Sequence, residues 1–209
     1  MGYESPMPVQ EEVIPFLLGD DNDVIALAQT GTGKTAAFGL PILQKIDVTT
    51  YHPQALVLCP TRELCLQIAD DLNDYSKYID NLKVLPVYGG SSIESQIKTL
   101  KRGVHVVVAT PGRLLDLMNR KTVDLSLVKN VIMDEADEML NMGFTDSINA
   151  ILAEVPENRN MLLFSATMPK EIANITKKYM KNPKEIVIGN KNEGNKNICL
   201  LYTSPSPRD

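Results

Sequence analysis

The sequence predicts an α/β domain built on a doubly wound, mostly parallel sheet with helices on both faces. Short apolar runs alternate with longer segments of helical period, and most of the runs are rich in Val, Ile and Leu on both faces. Such runs are typical of strands buried in a parallel sheet. Their alternation with helices implies right-handed crossovers within one open sheet.

Six strands and six helices are expected from these patterns. The predicted strands cover residues 24–28, 55–59, 104–109, 128–133, 161–164 and 185–188. The predicted helices cover residues 33–46, 62–78, 91–101, 113–119, 144–153 and 169–180. In the third helix Ile93, Ile97 and Leu100 share one face, which predicts that this face packs against the core. From about Gly189 onward Asn, Lys and Gly replace the pattern, as in a linker.

A polar segment follows each of the first five predicted strands. These segments cover residues 29–35, 60–63, 110–113, 134–137 and 165–167. Ligands of open α/β sheets bind outside the carboxyl ends of the strands. The segments are therefore predicted to lie at one edge of the sheet and to form the functional site.

The first polar segment has the pattern of a phosphate-binding loop. Gly31 and Gly33 permit a tight turn that aims backbone N–H groups at phosphate oxygens, and the helix that follows adds its positive end. Lys34 can reach the β- and γ-phosphates, and the Thr35 hydroxyl can ligate Mg²⁺. An ordinary glycine-rich turn is the alternative, but it does not require Gly-Lys-Thr at a helix start. The predicted nucleotide-binding residues here are Ala28, Gln29, Thr30, Gly31, Thr32, Gly33, Lys34 and Thr35, with Ala28 standing where the general pattern has Gly.

A short acidic cluster follows the fourth predicted strand. An apolar strand that ends in an acid is typical of the second group that holds Mg²⁺ beside a triphosphate, which here is Asp134. Glu135 is placed to orient and deprotonate the attacking water. Alternatively, the acids merely favour the start of a following helix. Lys34, Asp134 and Glu135 are the predicted catalytic residues, and Thr35 and Asp134 are the predicted metal ligands.

Composition limits the classes of protein that fit. The net charge of −5 argues against a protein that coats nucleic acid through bulk electrostatics, so any nucleic-acid site must be local. No apolar run approaches the ~20 residues needed to cross a bilayer, and no signal peptide is expected. Cys59, Cys65 and Cys199 suit buried thiols in a reducing compartment, so a cytoplasmic location is expected.

The segments, taken in order, resemble the DEAD-box RNA helicases of bacterial type. The acidic cluster spells Asp-Glu-Ala-Asp at 134–137, and residues 2–10 resemble the family's adenine-recognising segment, ending at Gln10. Residues 60–64, 89–90 and 110–113 resemble its RNA-contacting motifs, residues 165–167 resemble its coupling motif, and Phe144 matches a stretch that follows the acidic motif. The resemblance covers roughly residues 1–190, and eight matches in order are very specific.

The resemblance implies a RecA-like ATP-binding domain of an RNA helicase that uses Mg²⁺ and ATP. In such a domain Gln10 would read adenine, and backbone contacts would hold one RNA strand without regard to its sequence. Ribonucleoprotein or RNA-decay proteins would be the partners of the whole protein. The RNA contacts implied are Thr61, Arg62, Gly89, Gly90, Thr110 and Arg113, and the coupling residues are Asp137, Ser165 and Thr167.

The domain is expected to cover residues 1–189, with a linker or non-family tail at 190–209. No second RecA-like domain is recognisable, and its arginine finger is typically worth ~10³–10⁵ in rate. The whole protein is therefore expected to be an RNA-dependent ATPase and helicase, and this chain alone to bind nucleotide weakly and turn over slowly. Two alternatives are a DNA helicase or translocase, against which Gln10 and the Asp-Glu-Ala-Asp argue, and a binding module that uses an inactive nucleotide site to hold RNA or a protein partner.

Overall fold

The computed structural model describes residues 5–19, 23–29 and 31–188. Predictions for Thr30, for Cys199, for residues 2–4 and for the tail at 190–209 lie outside the described residues. Within the described ranges, every helix is too short or too polar to span a lipid bilayer.

The elements follow one another as the alternating pattern predicts. Their order is α1 (Pro8–Leu18), β1 (Val24–Leu27), α2 (Lys34–Gln44), β2 (Ala55–Leu58), α3 (Arg62–Tyr75), β3 (Val84–Val87), α4 (Ile93–Lys101), β4 (Val106–Ala109), α5 (Pro111–Asn119), β5 (Asn130–Met133), α6 (Ala136–Asn141), α7 (Thr145–Glu154), β6 (Asn160–Ser165), α8 (Lys170–Tyr179) and β7 (Lys184–Val187). All six predicted strands and all six predicted helices are present, with ends shifted by one to a few residues.

Three elements were not predicted: α1, β3 and α6. The run that forms β3 contains Pro86, which cannot donate a ladder hydrogen bond and is tolerated because β3 is an edge strand. Helix α1 contains Pro15, and α6 is only six residues long. Prolines and short length weaken the periodic signal on which the prediction depends.

The seven strands form one sheet in the order β3-β4-β2-β5-β6-β1-β7, and every pairing is parallel. The predicted doubly wound sheet is therefore confirmed, with no antiparallel strand among the described residues. Because all strands run the same way, the segments that follow them open at one edge of the sheet.

Helices cover both faces of the sheet, as predicted. Alternate strand residues point to opposite sides, so Val57 packs in the same cluster as residues of α1, α2 and α3, and Leu56 in the same cluster as residues of α5 to α8. Ile93, Ile97 and Leu100 of α4 pack against this second cluster, which confirms the predicted apolar face.

Two buried polar side chains, those of Asp23 and His105, bind backbone groups at the opposite end of the sheet, where the strands begin. The Asp23 carboxylate accepts hydrogen bonds from Met161 N at 2.7 Å and from Lys181 N at 2.6 Å. His105 Nδ1 accepts one from Lys83 N at 3.0 Å, and its Nε2 lies 3.2 Å from Val48 O. These bonds satisfy backbone groups of β6 and of the loops at the starts of the strands.

Candidate active site

The phosphate-loop segment joins β1 to α2 through a tight turn. Gly31 and Gly33 have φ of 78° and 77°, and α2 begins directly at Lys34. A Cβ atom at position 33 would lie 2.5 Å from Gln10 Nε2 and 2.8 Å from Met7 Sδ. The left-handed backbone therefore favours glycine at position 33, and any larger residue would also displace the ends of the Gln10 and Met7 side chains.

Lys34 and Asp134 come together although they belong to strands that are not neighbours. Lys34 follows β1 and Asp134 follows β5, and β6 lies between these strands. The distance from Lys34 Nζ to Asp134 Oδ1 is 3.0 Å, and both residues are buried. The Asp134 amide donates to Leu58 O at 2.9 Å, which fixes the start of the acidic segment to β2.

Glu135 has a left-handed backbone, with φ 50° and ψ 51°. A non-glycine residue pays a strain of about 1 kcal/mol or more in this region, and such strain clusters at functional sites. Burial raises the pKa of the Glu135 carboxyl above its ordinary value, the charge of Asp134 adds to this rise, and Lys34 opposes it. A carboxyl with a raised pKa is suited to act as a base nearer to neutral pH.

The acidic segment and the segment after β6 are joined by hydrogen bonds. Asp137 Oδ2 accepts from Thr167 N at 3.0 Å and from Thr167 Oγ1 at 2.8 Å. Ser165 Oγ donates to Thr167 O at 2.7 Å, and Ser165 itself is fully buried. The three residues that the resemblance assigns to coupling therefore form one connected unit.

Gln10 lies against the phosphate-loop segment. Its Oε1 accepts a hydrogen bond from Met7 N at 3.0 Å, and its Nε2 donates one to Gly33 O at 3.2 Å. One amide N–H of Gln10 remains for a further acceptor. The side chain thus joins α1 to the turn that begins α2.

The segments that resemble RNA motifs follow β2, β3 and β4, which are three adjacent strands. Thr61 caps α3 by accepting a hydrogen bond from Leu64 N at 3.2 Å. Thr110 occupies the cap position of α5 and has its backbone N–H bonded to Val87 O at 2.9 Å. Gly90, after β3, has φ 79° and lies close to Arg62. The starts of α3 and α5 and the left-handed Gly90 thus follow adjacent strands at the same end of the sheet.

The Arg113 guanidinium is hydrogen-bonded within the protein. Its Nη1 donates to Ser91 O and to Gln96 Oε1, each at 3.1 Å. Gln96 Nε2 donates to Tyr88 O at 3.1 Å, and the Arg62 guanidinium lies 5.0 Å from the centre of the Tyr88 ring. Arg113 therefore holds in place the loop of residues 89–91, which we call the glycine loop. The sequence did not indicate this role.

Tyr88, Gln96 and Asp71 were missed by the sequence analysis. Gln96 carried a detectable signal, because it lies three residues after Ile93 on the otherwise apolar face of α4. Asp71 of α3 lies near the side chain of Thr35. Burial, followed by the charges of Asp74 and Asp70, raises the pKa of the Asp71 carboxyl, and the interaction with Thr35 opposes this rise. That contact joins residues far apart in the chain, so no local pattern could show it.

The oxygen donors at this edge fit a divalent cation bound together with phosphates. Asp134 and Thr35 offer a carboxylate and a hydroxyl, and the described residues contain no cluster of three or more His, Cys, Asp or Glu that could hold a metal by itself. Mg²⁺ is usually held by one or two protein carboxylates plus substrate phosphates and water. The donor set therefore matches magnesium bound with a triphosphate better than a metal held by protein alone.

The fold and the arrangement of loops define a RecA-like α/β domain with a nucleotide site. The sequence model of the DEAD/DEAH box helicase family matches residues 7–175, so the chain belongs to that family. The chain is 52% identical over 202 residues to the ATP-dependent RNA helicase DeaD of Mycobacterium tuberculosis, covering 97% of this chain and 36% of the relative. It is 50% identical over 188 residues to the ATP-dependent RNA helicase DeaD of Escherichia coli K12, covering 90% and 30%.

Solved structures agree with the fold. A crystal structure of a DEAD box protein from the hyperthermophile Methanococcus jannaschii matches 90% of this chain and 51% of its own chain, with a TM-score of 0.85 and 46% identity. A hypothetical ATP-dependent RNA helicase from Sulfolobus tokodaii gives a TM-score of 0.82 and 44% identity, with 90% and 54% covered. The chain spans about a third of the length of the curated relatives named above.

Proposed function

We propose that this chain is the ATP-binding and hydrolysing part of an ATP-dependent RNA helicase. The observation that carries the proposal is the contact between Lys34 and Asp134, at 3.0 Å, because it brings a phosphate-binding lysine and a metal-binding carboxylate to one point. The sheet order adds to this. The strands β5 and β1 lead to the proposed nucleotide residues, β6 between them leads to the proposed coupling residues, and the adjacent strands β2, β4 and β3 lead to the proposed RNA residues.

The nucleotide part would work by positioning and charge. Lys34 and the start of α2 would stabilise the phosphates, Thr35 and Asp134 would hold Mg²⁺, and Glu135 would take the proton of the attacking water. Mg²⁺, when bound, would neutralise the charge that develops on the phosphate oxygens. The second lone pair of Gln10 Oε1 would accept from the N6 amino group of adenine, which guanine lacks, and the remaining N–H would donate to N7, so ATP would be favoured over GTP.

The RNA part would hold one strand by its sugar–phosphate backbone. The starts of α3 and α5 and the glycine loop offer backbone N–H groups, and exposed Arg62 adds a positive charge. Such contacts carry no base information, so binding would tolerate any sequence. The Asp137–Thr167 bonds would transmit changes at the acidic segment to the segment after β6 during strand separation.

The proposal includes a cytoplasmic location and a domain that ends near residue 189, followed by a linker or tail. The location is supported by the two free and fully buried thiols of Cys59 and Cys65, which suit a reducing compartment. Partners from ribonucleoprotein or RNA-decay assemblies would belong to the whole protein.

The first test is nucleotide binding by this chain, measured with a fluorescent ATP analogue. We expect the binding to require Mg²⁺ and to be abolished by Lys34→Ala. ATP should displace the analogue more effectively than GTP does.

The second test is ATP turnover by the whole protein with single-stranded RNA or DNA of the same sequence. Stimulation by DNA equal to that by RNA would refute the RNA assignment, while leaving the nucleotide site intact.

A further inference from the structure

Gln96 stands out as a buried amide on a helix face that is otherwise apolar. It is only 5% exposed, and its neighbours Ile93 and Ile97 pack against the core. Both ends of the amide are used: Oε1 accepts from Arg113 Nη1 and Nε2 donates to Tyr88 O, each at 3.1 Å. A buried polar side chain with both functions satisfied usually fixes a specific arrangement of the groups that it joins.

Gln96 bonds directly to two segments of the proposed RNA site and reaches a third through Tyr88. Arg113 lies in the first turn of α5, and Tyr88 immediately precedes the glycine loop. The Tyr88 ring in turn lies 5.0 Å below the guanidinium of Arg62 at the start of α3. Through one amide, the starts of α3 and α5 and the glycine loop are thus held at fixed spacing.

We propose that Gln96 is a positioning residue of the RNA-backbone site, which sets the spacing of the α3 start, the glycine loop and the α5 start. This inference rests on the proposed RNA-binding function. Successive phosphates of one strand recur at a fixed spacing, so donors on three segments bind them together only when the segments keep matching positions. Gln96 does not itself contact RNA in this proposal.

Loss of the amide would affect both of its partners. Arg113 would keep only its bond to Ser91 O, and the Tyr88 carbonyl would lose its side-chain donor. A polar group left unsatisfied in a buried place moves toward water or another partner. The glycine loop would then leave its place beside the two helix starts, while the nucleotide residues after β1 and β5 would be unaffected.

The test uses this chain with two substitutions at position 96 and one control. Gln96→Met keeps the length of the side chain but removes both hydrogen bonds. Gln96→Glu keeps an acceptor for Arg113 and removes the donor to Tyr88. Thr99→Ala is the control, because Thr99 lies on the same helix and its hydroxyl bonds to Ser95 O within that helix. RNA binding is measured by anisotropy of a labelled single-stranded RNA, and nucleotide binding by a fluorescent ADP.

We expect Gln96→Met to raise the Kd for RNA about tenfold, and Gln96→Glu to raise it less, because Arg113 keeps its acceptor. The Kd for nucleotide of both variants should stay close to that of Thr99→Ala, whereas the Tm of Gln96→Met should fall by a few degrees because two buried hydrogen bonds are lost. In Gln96→Met, amide hydrogen exchange at residues 88–91 should become faster even without RNA. This last measurement also tests the proposal if the affinity changes are small.

Three results would overturn the proposal. Unchanged RNA affinity with unchanged exchange in Gln96→Met would show that the amide sets no spacing. An equal loss of RNA and nucleotide binding would show a general structural role. A wild-type chain that binds nucleotide but no RNA would refute the proposed RNA function, and this inference with it; in that case exchange at residues 88–91 would still report whether Gln96 holds the loop.

Discussion

Lys34 Nζ lies 3.0 Å from Asp134 Oδ1, across the end of a strand that separates β1 from β5. Both charged groups are buried, and each charge is neutralised by the other. The two residues that the proposed mechanism assigns to phosphate and metal are therefore also coupled in the stability of the domain. A single substitution at either residue should therefore affect both binding and folding, and a double substitution is needed to separate the two effects.

Lys34→Met should abolish nucleotide binding and also destabilise the domain. Breaking a buried ion pair from one side leaves an uncompensated charge and typically costs about 3–5 kcal/mol. The double variant Lys34→Met with Asp134→Asn removes both charges, so it should recover much of the stability without recovering binding. Urea unfolding and titration with a fluorescent ATP analogue measure the two effects. Nucleotide binding by either variant at wild-type affinity would contradict the proposed site.

Glu135→Gln should keep nucleotide binding and stop hydrolysis in the whole protein. The amide preserves the shape of the side chain but cannot accept the proton of the attacking water, and general bases contribute about 10²–10⁴ in rate. Because burial raises the pKa of Glu135, the wild-type rate should fall on acidification at a pH above the ordinary Glu value. Steady-state turnover against pH, with single-turnover controls for binding, measures this. Normal hydrolysis by Glu135→Gln would show that another group is the base.

Thr167→Val should separate ATP turnover from strand separation in the whole protein. Valine keeps the branched shape but removes the hydroxyl that donates to Asp137 Oδ2 at 2.8 Å, while the backbone N–H bond at 3.0 Å can remain. The bond is exposed to solvent, so its loss should cost about 0.5–1.5 kcal/mol, which is enough to weaken the link. RNA-stimulated ATPase should be largely retained, and unwinding of a short duplex should fall. A parallel loss of both activities would contradict a coupling role.

His105 should make the stability of the domain depend on pH. Burial lowers the pKa of its imidazole below 6.5, and the charge of Lys83 adds to this, while the hydrogen bond to Val48 O and the charge of Asp47 oppose it. The folded chain therefore binds this proton more weakly than the unfolded chain does. The resulting stability is complete above about pH 6.5 and is lost as the pH falls below it.

The comparison is between His105→Gln and His52→Gln, since the chain has 2 histidines and His52 is exposed. The free energy of unfolding in urea is measured at about pH 8 and about pH 5.5, on either side of the ordinary histidine pKa. His105→Gln should show a smaller loss on acidification than the wild type, and His52→Gln should behave like the wild type. An equal pH slope in all three proteins would exclude His105 as the titrating group.

The sequence by itself determined the elements that carry long, unbroken patterns and the loops that follow them. Buried strands such as 24–28 and 55–59 are apolar on both faces, and polar segments follow them, so both the parallel sheet and the position of the site could be predicted. Gly31, Gly33 and Lys34 could be assigned because a phosphate loop needs those residue types in adjacent positions.

Only the tertiary structure decided the order of the strands and the contacts across them. The strand order places β1 and β5 on either side of β6, and Lys34 meets Asp134 across the end of β6. The unpredicted edge strand β3 places Tyr88 and the glycine loop beside α5. The bonds of Gln96, Arg113 and Thr167 join residues 8 to 30 positions apart. A local pattern reports which face of its own element is apolar, but it carries no information on which distant polar group a side chain will meet once the elements pack.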